Sequence, residues 1–364
     1  MTHDRLAAGR TLAPTAPPAR KEGVSSRTNA RWSLRRRLAV AVAAFGSLAV
    51  LAIVVAPLIG PTPIALGRVF DRSVPFADNV DAQIFFIARL PRALAGAVVG
   101  ASLAVAGVVF QALLRNPLAT PFTLGVSAGA SLGAMLVITF GVPLALGGVP
   151  AVPIASLFGS LGAAGIVYAM ATLRHRGLST TVLLLAGVTL NSFFSAIIMF
   201  VQYSGDFAQT FQTVRWLMGN LDVSGFQPIA AALPLTGAAF VMFATLPRAL
   251  NLLTLGGDSA ASRGVDVLRT QRVAFLSASL ATGAAVSLGG PIGFIGIVIP
   301  HLVRLLVGAD HRIVMPASAC LGAAFLVTCD VAARTVMAPL ELPVGVITAL
   351  TGGPFFLWLL VRRR

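Results

Sequence analysis

Two stretches that carry charged side chains lie between long apolar runs of this chain. The first, from Arg89 to Ala134, reads RLPRALAGAVVGASLAVAGVVFQALLRNPLATPFTLGVSAGASLGA, and the second, from Gly290 to Arg312, reads GPIGFIGIVIPHLVRLLVGADHR. Charges beside membrane-length apolar sequence are costly, so they usually serve a function. A guanidinium binds anionic groups, whereas a serine within G-x-S-x-G can act as a nucleophile, so both kinds of chemistry are weighed here.

The hydrolytic alternative has weak support. Gly125–Gly129 reads GVSAG, which fits G-x-S-x-G, but that pattern needs a strand, a sharp turn and a nearby base. Here the run opens an apolar segment. His301, at the end of a predicted span, has no obvious carboxylate to orient it, and it is expected with Arg304 to face the inner headgroups. Ser127 is therefore expected to pack helices, as small residues do in membranes, with an intramembrane hydrolase as a minor alternative.

The composition indicates a membrane protein. The chain is 57% hydrophobic and 11% charged, whereas soluble domains carry about 25% charged residues. Its net charge of +15 does not indicate nucleic-acid binding, because the basic residues are divided between two sides of the protein and do not form one face. Cys320 and Cys329 fall in one apolar segment and are expected to be buried thiols, with neither a disulfide nor a metal site.

Ten apolar segments can be placed, most of them long enough to cross a bilayer as a helix. Backbone that faces lipid must satisfy its hydrogen bonds within a helix, so we expect an all-α polytopic membrane protein with about ten transmembrane helices. Residues 1–37 are basic and proline-containing, and we expect a disordered cytoplasmic tail ahead of a permease domain at 38–364. The ten segments lie near residues 38–59, 92–114, 122–141, 150–173, 181–203, 228–247, 271–288, 291–307, 313–333 and 343–361.

The distribution of basic residues sets the expected orientation. With the amino terminus inside, 21 of the 27 basic residues fall on the cytoplasmic side and 6 fall outside. The positive-inside rule therefore favours an even number of spans with both termini in the cytoplasm. Arg89, Arg92 and Arg334 are among the six outside, which suggests that they have a role there.

The sequence carries no motif for using ATP itself. A P-loop needs GxxxxGK[ST], and the single lysine is Lys21 in the tail, so any ATP must be hydrolysed by another polypeptide. Proton- or sodium-coupled carriers usually keep carboxylates within the membrane. Asp330 is the one carboxylate near a span, so a secondary carrier is the weaker alternative, and its ion site would involve Asp330 or Glu341.

Eight short motifs follow one another along the chain: RLPR, QALLRNPLA, LGVSAGA, LLLAGVTLN, WLMGN, LNLLTLGGDSAASRGV, GPIGFIGIVIPHLVR and ELPVGVITALTGGPFF. Their order and spacing resemble the FecCD family of ABC-importer permeases, which move iron–siderophore complexes, haem and cobalamin. The resemblance covers roughly Leu38 to Arg364. It implies a type II ABC importer permease in the bacterial cytoplasmic membrane, without a cofactor and with ten helices per subunit.

The resemblance also implies an assembly. A second permease subunit would lie alongside, with a homodimer as the first expectation and a heterodimer left open. Two ATP-binding subunits would lie below and one extracytoplasmic substrate-binding protein above. Arg89, Arg92 and Arg334 would bind glutamates of that binding protein, because a planar guanidinium can donate two parallel hydrogen bonds to one carboxylate. The alternative is snorkelling to the interface, or pairing with Asp330 or Glu341.

Two inner segments match gate positions of the family. The turn that contains Asn116 and Leu118 would form part of the cytoplasmic gate, and asparagine before Pro117 disfavours helix, so the chain must break there. Ser179 and Thr180 match a second gate segment, for which helix capping is the alternative.

The longest inner loop, 248–271, matches the coupling helix that sits in a groove of the ATPase. Asp258 and Ser259 are expected to start a short helix that Gly264 ends. Arg263 departs from the family, whose members usually carry an apolar residue at this position. The residues assigned to ATPase coupling are Gly256, Asp258, Ser259, Ala260, Ala261, Arg263 and Gly264.

The fifth span and its outer flank, residues 191–216, should line the pathway. Its wall is mostly apolar and weakly polar, and the assigned residues are Asn191, Ser195, Met199 and Gln202. Such a wall suits a large chelate that passes without tight binding. It resembles neither a haem ligand pair nor a ferric site, so the metal is expected to stay inside its carrier. The first expectation for the substrate is a ferric siderophore or haem, and cobalamin is the alternative.

Overall fold

A computed structural model describes residues 33–141, 145–146, 149–173 and 178–362, and a helix lies in each of the ten predicted segments. Residues 1–32 of the predicted tail lie outside the described residues. The first helix begins at Leu34, and Ser33 caps it by accepting a hydrogen bond from the backbone N–H of Arg36 at 3.4 Å. The ten helices are α1 (Leu34–Val55), α2 (Val80–Leu113), α3 (Val126–Phe140), α4 (Ala151–Thr172), α5 (Thr180–Tyr203), α6 (Gln227–Thr245), α7 (Val267–Gly289), α8 (Ile295–Val307), α9 (His311–Thr335) and α10 (Val344–Arg362).

Within the described residues, seven helices are long and apolar enough to cross a membrane, namely α1, α2, α4, α5, α6, α7 and α9, whereas α3, α8 and α10 are shorter apolar helices. The rest of the described chain is irregular or forms shorter helices, apart from β1 (Ala145–Leu146) and β2 (Val149–Pro150). These two strands pair antiparallel in the connection between α3 and α4. The all-α expectation did not include them, because a two-residue ladder in a loop leaves no periodic signal in the sequence.

The start of α2 differs from the prediction. The helix begins at Val80 and not near residue 92, and Asn79 caps it by accepting from the N–H of Ala82 at 3.0 Å. Residues Ile84–Arg89 follow a wider π-helical path before the α-helix resumes, as is frequent at functional sites. Arg89 and Arg92 therefore lie inside a helix and do not precede it. The predicted segment started at residue 92 because the charges of Arg89 and Arg92 were expected to lie outside the span. In the fold, both side chains have partners, so the helix continues through them.

Helix α2 is the centre of the bundle, and it packs against α7, α8 and α9. Glycine permits the closest approaches: a Cβ at Gly100 would overlap the backbone carbonyl of Gly322 in α9, and a Cβ at Gly107 would overlap that of Gly296 in α8. Small residues at helix interfaces are a common device in membranes, where apolar burial alone does not drive helices together. The GVSAG run plays the same part, since it opens α3 and its Ser127 is only 4% exposed.

The chain between α7 and α8 is not helical although it lies within the bundle. Gly290 and Phe294 have φ angles of +67° and +68°, and the backbone N–H of Asn220 donates to the carbonyl of Gly289 at 2.9 Å. Non-helical backbone at membrane depth is tolerated only where protein or a water-filled cavity surrounds it. This break explains why α8 is shorter than the predicted segment at 291–307.

The glycine contacts of α2 give a first test. We expect Gly100→Ala to lower the stability of the purified protein by about 1–3 kcal/mol, because the added methyl group meets rigid backbone. Gly165→Ala in α4 is the control, since a Cβ there meets nothing within 4 Å, and alanine improves helix propensity. Thermal melting in detergent measures both. Equal melting temperatures for the two variants would contradict the close approach of α2 and α9.

Candidate functional site

Polar side chains gather at two ends of the bundle and along one groove between them. We call the end formed by residues 89–92 and 330–341 the arginine end, and the end formed by residues 114–120 and 248–266 the loop end.

A buried cluster of ion pairs occupies the arginine end. Arg92 donates from Nε to Oδ1 of Asp330 at 2.8 Å and from Nη1 to Oε2 of Glu341 at 2.7 Å. Nε of Arg334 lies 3.5 Å from Oδ2 of Asp330, and Nη2 of Arg334 donates to the carbonyl of Ala56 at 2.6 Å. Asp330 is 1% exposed. Charges at this depth require partners, and one carboxylate shared by two arginines holds α2 and α9 together.

Arg89 is bound to the chain that connects α1 and α2. Its guanidinium donates to the carbonyl of Pro57 at 3.3 Å and to the carbonyl of Thr62. The side chain lies against Gly60, where any Cβ would overlap the guanidinium. Arg89 therefore fixes the connecting segment to the π-helical turn.

All three arginines assigned to docking are buried by their own chain. Arg89, Arg92 and Arg334 are between 3% and 9% exposed. The pairing with Asp330 and Glu341 that the sequence offered as an alternative is present. The docking role stays a prediction. It requires an incoming carboxylate to approach past Glu341, whose side chain is 39% exposed.

The four residues assigned to the pathway line one groove. Asn191, Ser195, Met199 and Gln202 follow one another on successive turns of α5, a spacing that places them on one helix face. The groove has a volume of about 310 Å³. Its remaining wall comes from the start of α3, from α5 itself, from the helix Phe207–Leu217 and from neighbouring chain. These residues are Phe122, Ser127, Ala128, Ser131, Ile198, Leu217 and Pro291.

The groove opens onto an exposed apolar face. Met199 is 70% exposed, Phe200 72% and Tyr203 91%. The face continues onto the short helix Phe207–Leu217, whose Phe207 and Phe211 are also exposed. Apolar surface of this extent indicates contact with lipid or with another protein.

The helix Phe207–Leu217 was missed by the sequence analysis, although a local signal marks it. Oδ1 of Asp206 accepts from the N–H of Gln209 at 2.8 Å, and Oε1 of Gln209 accepts from the N–H of Asp206 at 3.1 Å. This reciprocal pair is a capping box, which the spacing of Asp206 and Gln209 could have indicated.

The turn after α2 breaks the helix as predicted. Helix α2 ends at Leu113, Arg115 has a φ of +48°, and Oδ1 of Asn116 accepts from the N–H of Leu118 at 2.9 Å. Leu118 is exposed at the loop end. The geometry confirms the break before Pro117, while the gate role of Asn116 and Leu118 stays a prediction.

The residues assigned to the second gate segment begin α5. Ser179 is its N-cap, and its Oγ accepts from the N–H of Val182 at 3.4 Å. Thr180 is the first helical residue and is half-buried. The capping alternative is therefore present, and a gate role for Ser179 and Thr180 stays a prediction.

The segment between α6 and α7 folds into two short helices, Pro247–Leu253 and Gly257–Ala261. Gly256 with φ +115° precedes the second helix and Gly264 with φ +80° follows it. The predicted short helix is thus present, and it begins just before Asp258. The assigned residues Asp258, Ser259, Ala261, Arg263 and Gly264 are exposed, and Gly256 is half-buried.

Ala260 differs from the other residues assigned to ATPase coupling. It is fully buried within the chain, and the N–H of Val265 donates to its carbonyl at 3.1 Å. Ala260 therefore anchors the short helix to the bundle and presents no surface to a partner. Even a short helix buries one face, and the run of small residues in the sequence does not show which of them lies on that face.

Three side chains tie this segment to the start of α9. Nδ2 of Asn251 donates to Oδ1 of Asp310 at 2.7 Å. Oδ1 of Asn251 accepts from the backbone N–H of His311 at 2.9 Å and lies 2.7 Å from Nδ1 of the same residue. We call Asn251, Asp310 and His311 the clamp. Helix α9 runs from the clamp to Asp330, so it connects the loop end with the arginine end.

The carboxylate of the clamp is ionised at physiological pH. The Arg312 guanidinium, which bonds both carboxylate oxygens of Asp310, holds the pKa of that carboxyl at about 2. Asp310 also caps α9 at its positive end, where a negative charge is favourable. Asn251 therefore donates its hydrogen bond to an ionised Asp310 carboxylate throughout the physiological pH range.

Arg304 differs from the expectation that it faces the headgroups. Its Nη1 donates to Oε1 of Gln111, and Nε2 of Gln111 donates to the carbonyl of Gly296 at 2.9 Å. Gln111 is only 4% exposed, and a buried amide oxygen needs a donor. Arg304 supplies that donor and joins α8 to α2.

Residues 48–362 match the FecCD transport family. The chain belongs to this family. It is an ABC-transporter permease, not itself an enzyme, and ATP hydrolysis belongs to a separate ATPase subunit. ABC permeases of this kind are polytopic membrane proteins that work with ATPase and substrate-binding partners.

Named relatives of this FecCD permease differ in their substrates. It is 44% identical over 272 residues to the cobalamin import system permease protein BtuC of Halobacterium salinarum, covering 75% of this chain and 72% of that protein. It is 40% identical over 284 residues to the hemin transport system permease protein HmuU of Yersinia pestis, covering 78% of this chain and 84% of that protein. A solved metal-chelate type ABC transporter in an inward-facing conformation matches with a TM-score of 0.74 and 31% identity, over 89% of this chain and 99% of that chain.

Proposed function

We propose that this FecCD permease forms the membrane pathway of an ATP-driven importer for an iron chelate, either a ferric siderophore or haem. The observation that carries the proposal is the groove on α5, in which Asn191, Ser195, Met199 and Gln202 form one wall without any charged side chain. A weakly polar wall lets a bulky chelate pass without holding it. The hemin transport relative supports this substrate class, and cobalamin is the alternative that the Halobacterium relative supports.

A second permease subunit, most simply a second copy of this chain, closes the groove from the other side. The exposed aromatic residues Phe200, Tyr203, Phe207 and Phe211 border the groove. Burying such residues between subunits removes them from contact with lipid or water and creates a shared wall. The pathway then lies at the interface of the two subunits.

All ten helices cross or enter the membrane in this proposal, and the loop end faces the cytoplasm. The helices α3, α8 and α10 are short, and the non-helical chain at 290–294 beside α8 is half-buried or buried, with Pro291 lining the groove. The bacterial cytoplasmic membrane is the location, with both termini inside. The excess of basic residues assigned to the inner side supports this orientation.

Two ATP-binding subunits bind at the loop end. The short helix Gly257–Ala261 presents Asp258, Ser259 and Ala261 outward, and Ala260 anchors it inward. The turn at Asn116 and Leu118 and the start of α5 at Ser179 and Thr180 form the cytoplasmic gate. Closure of the ATPases moves the short helix, and the clamp passes this movement to α9.

The substrate-binding protein docks on the arginine end. Glutamates of the binding protein reach Arg92 by displacing Glu341, the more exposed of its two carboxylate partners. Arg89 and Arg334 keep their backbone partners and supply positive potential beneath the docking surface.

ATP-driven uptake in proteoliposomes tests the proposal. The permease is reconstituted with its ATPase subunits and binding protein, and ferric siderophore, haem and cobalamin are offered in parallel. We expect uptake of an iron chelate that requires ATP. Uptake of cobalamin alone would select the alternative substrate, and equal uptake without ATP would indicate a secondary carrier instead.

The groove is tested in the same vesicles by Ser195→Trp. The indole fills the groove, so uptake is expected to fall at least about tenfold, which corresponds to about 1.4 kcal/mol in the barrier to transport. Val241→Trp is the matched control, because Val241 is 70% exposed on α6 and does not line the groove. Similar uptake by the two variants would show that the pathway lies elsewhere.

A further inference from the structure

We propose that α2, α6 and α9 form a binding site for an anionic phospholipid at the loop end. This inference depends on the membrane placement of these helices and not on the transported substrate. A cavity of about 300 Å³ lies between them, and it is apolar except for one arginine. Its wall includes Val105, Ala244, Pro247, Arg312, Met315 and Ala319.

The position of the cavity fits an acyl chain. Helices α6 and α9 each approach α2, and the cavity lies between them over Val105. Met315 and Ala319 lie in the first turns of α9, which places the cavity within roughly 12 Å of the start of that helix. This depth corresponds to the acyl region just below the headgroups. Leu233 and Val241 are 50% and 70% exposed on α6, as expected for a helix that faces the bilayer.

The charge at the mouth of the cavity fits an anionic headgroup. Arg312 contributes to the wall and pairs with Asp310, while its side chain remains 42% exposed. Arg248 directly follows the lining residue Pro247 on the same short helix, and it is exposed. Two arginines and one carboxylate leave a net positive charge. A guanidinium binds phosphate oxygens by two parallel bonds, and cationic side chains at the membrane surface attract anionic lipids.

The combination selects a phospholipid over other ligands. A free phosphate would bind the arginines but leave the apolar cavity empty. A hydrocarbon would fill the cavity but make no contact with the charge of the arginines. A phosphatidylglycerol molecule with one chain between α6 and α9 and its phosphate at Arg248 satisfies both features.

Native mass spectrometry of the permease with its ATPase subunits tests the site. The complex is delipidated in detergent and titrated with phosphatidylglycerol or phosphatidylethanolamine of identical chains. We expect tighter binding of phosphatidylglycerol, about fivefold weaker binding in Arg248→Gln, since each surface charge near a membrane contributes about that factor, and loss of the site in Ala244→Trp, which fills the cavity. Arg272→Gln, an exposed arginine of α7 away from the cavity, should bind like the wild type.

Thermal melting establishes that each variant is folded, and Ala319→Leu provides a second cavity-filling variant. Equal binding of the two lipids, or unchanged binding of phosphatidylglycerol by folded Arg248→Gln and either cavity variant, would overturn the proposal. Displacement of the lipid by millimolar inorganic phosphate alone would indicate a simple anion site. The uptake assay of the substrate proposal is separate, so failure of one leaves the other unaffected.

Discussion

Asp330→Asn is expected to destabilise the permease by about 3–5 kcal/mol, because it removes the charge that two buried arginines share. Arg92 and Arg334 are 9% and 3% exposed, so water cannot replace the missing carboxylate. The measurement is thermal unfolding of the purified protein, together with the amount of folded protein in the membrane.

Glu341→Gln is the matched control within the same cluster. Its carboxylate also bonds Arg92 at 2.7 Å, but the Glu341 side chain is 39% exposed and that of Asp330 only 2%. Exposed pairs contribute between about 0 and 1 kcal/mol, so the control should melt close to the wild type. A loss as large as that of Asp330→Asn would mean that burial does not set the energetics of the cluster.

A double substitution separates charge from packing. Asp330→Leu with Arg334→Met removes one buried charge of each sign and leaves Arg92 paired with Glu341. Replacing a buried pair by apolar residues of similar size is often neutral or stabilising. The double variant should therefore be more stable than Asp330→Asn alone. A double variant less stable than Asp330→Asn would mean that Asp330 and Arg334 stabilise the protein mainly through packing and not through their charges.

The number and position of the helices follow from local sequence, whereas the partners of the charges do not. Apolar runs marked the segments of α1 to α10, of which seven are long enough to cross a membrane, because the energetics of lipid act on each segment separately. Local turn signals were equally visible: Asn116 before Pro117 ends α2, and Gly256 and Gly264 bound the short helix of the loop end. Each of these features depends on residues within a few positions of one another.

The ion pairs at the arginine end, in contrast, join residues that are far apart in the sequence. Arg92 and Asp330 are 238 positions apart, and the sequence favoured docking, with local pairing as the alternative. Only tertiary packing decides that both lie inside the bundle. The same limit explains the start of α2, since a helix can pass through Arg89 only when carbonyls from another segment accept its hydrogen bonds.

The clamp was also invisible in the sequence, although the N-cap position of Asp310 had a recognisable pattern. Asn251 is separated from Asp310 by 59 residues, and neither residue belongs to a motif for nucleotide or substrate binding. The position of the clamp suggests a role in coupling, because the clamp lies between the short helix that faces the ATPases in our proposal and the helix that carries Asp330. In that proposal, the continuous helix α9 has one end at each docking surface, so it can transmit displacement provided that its base is fixed to the moving segment.

Asn251→Leu is therefore expected to uncouple ATP hydrolysis from transport. Leucine keeps the approximate size of the side chain but removes all three contacts, and Asp310 keeps Arg312, so no charge is left unpaired. We expect stimulation of ATPase activity by the loaded binding protein, and uptake, to fall about tenfold, within the range of allosteric coupling energies, while basal hydrolysis stays unchanged. Thr254→Val is the control, because its hydroxyl bonds only the carbonyl of Asn251 at 2.9 Å and does not reach α9. Wild-type stimulation in a folded Asn251→Leu complex would mean that the signal reaches the pathway by the gates alone. Loss of basal hydrolysis as well would place Asn251 in assembly of the complex and not in coupling.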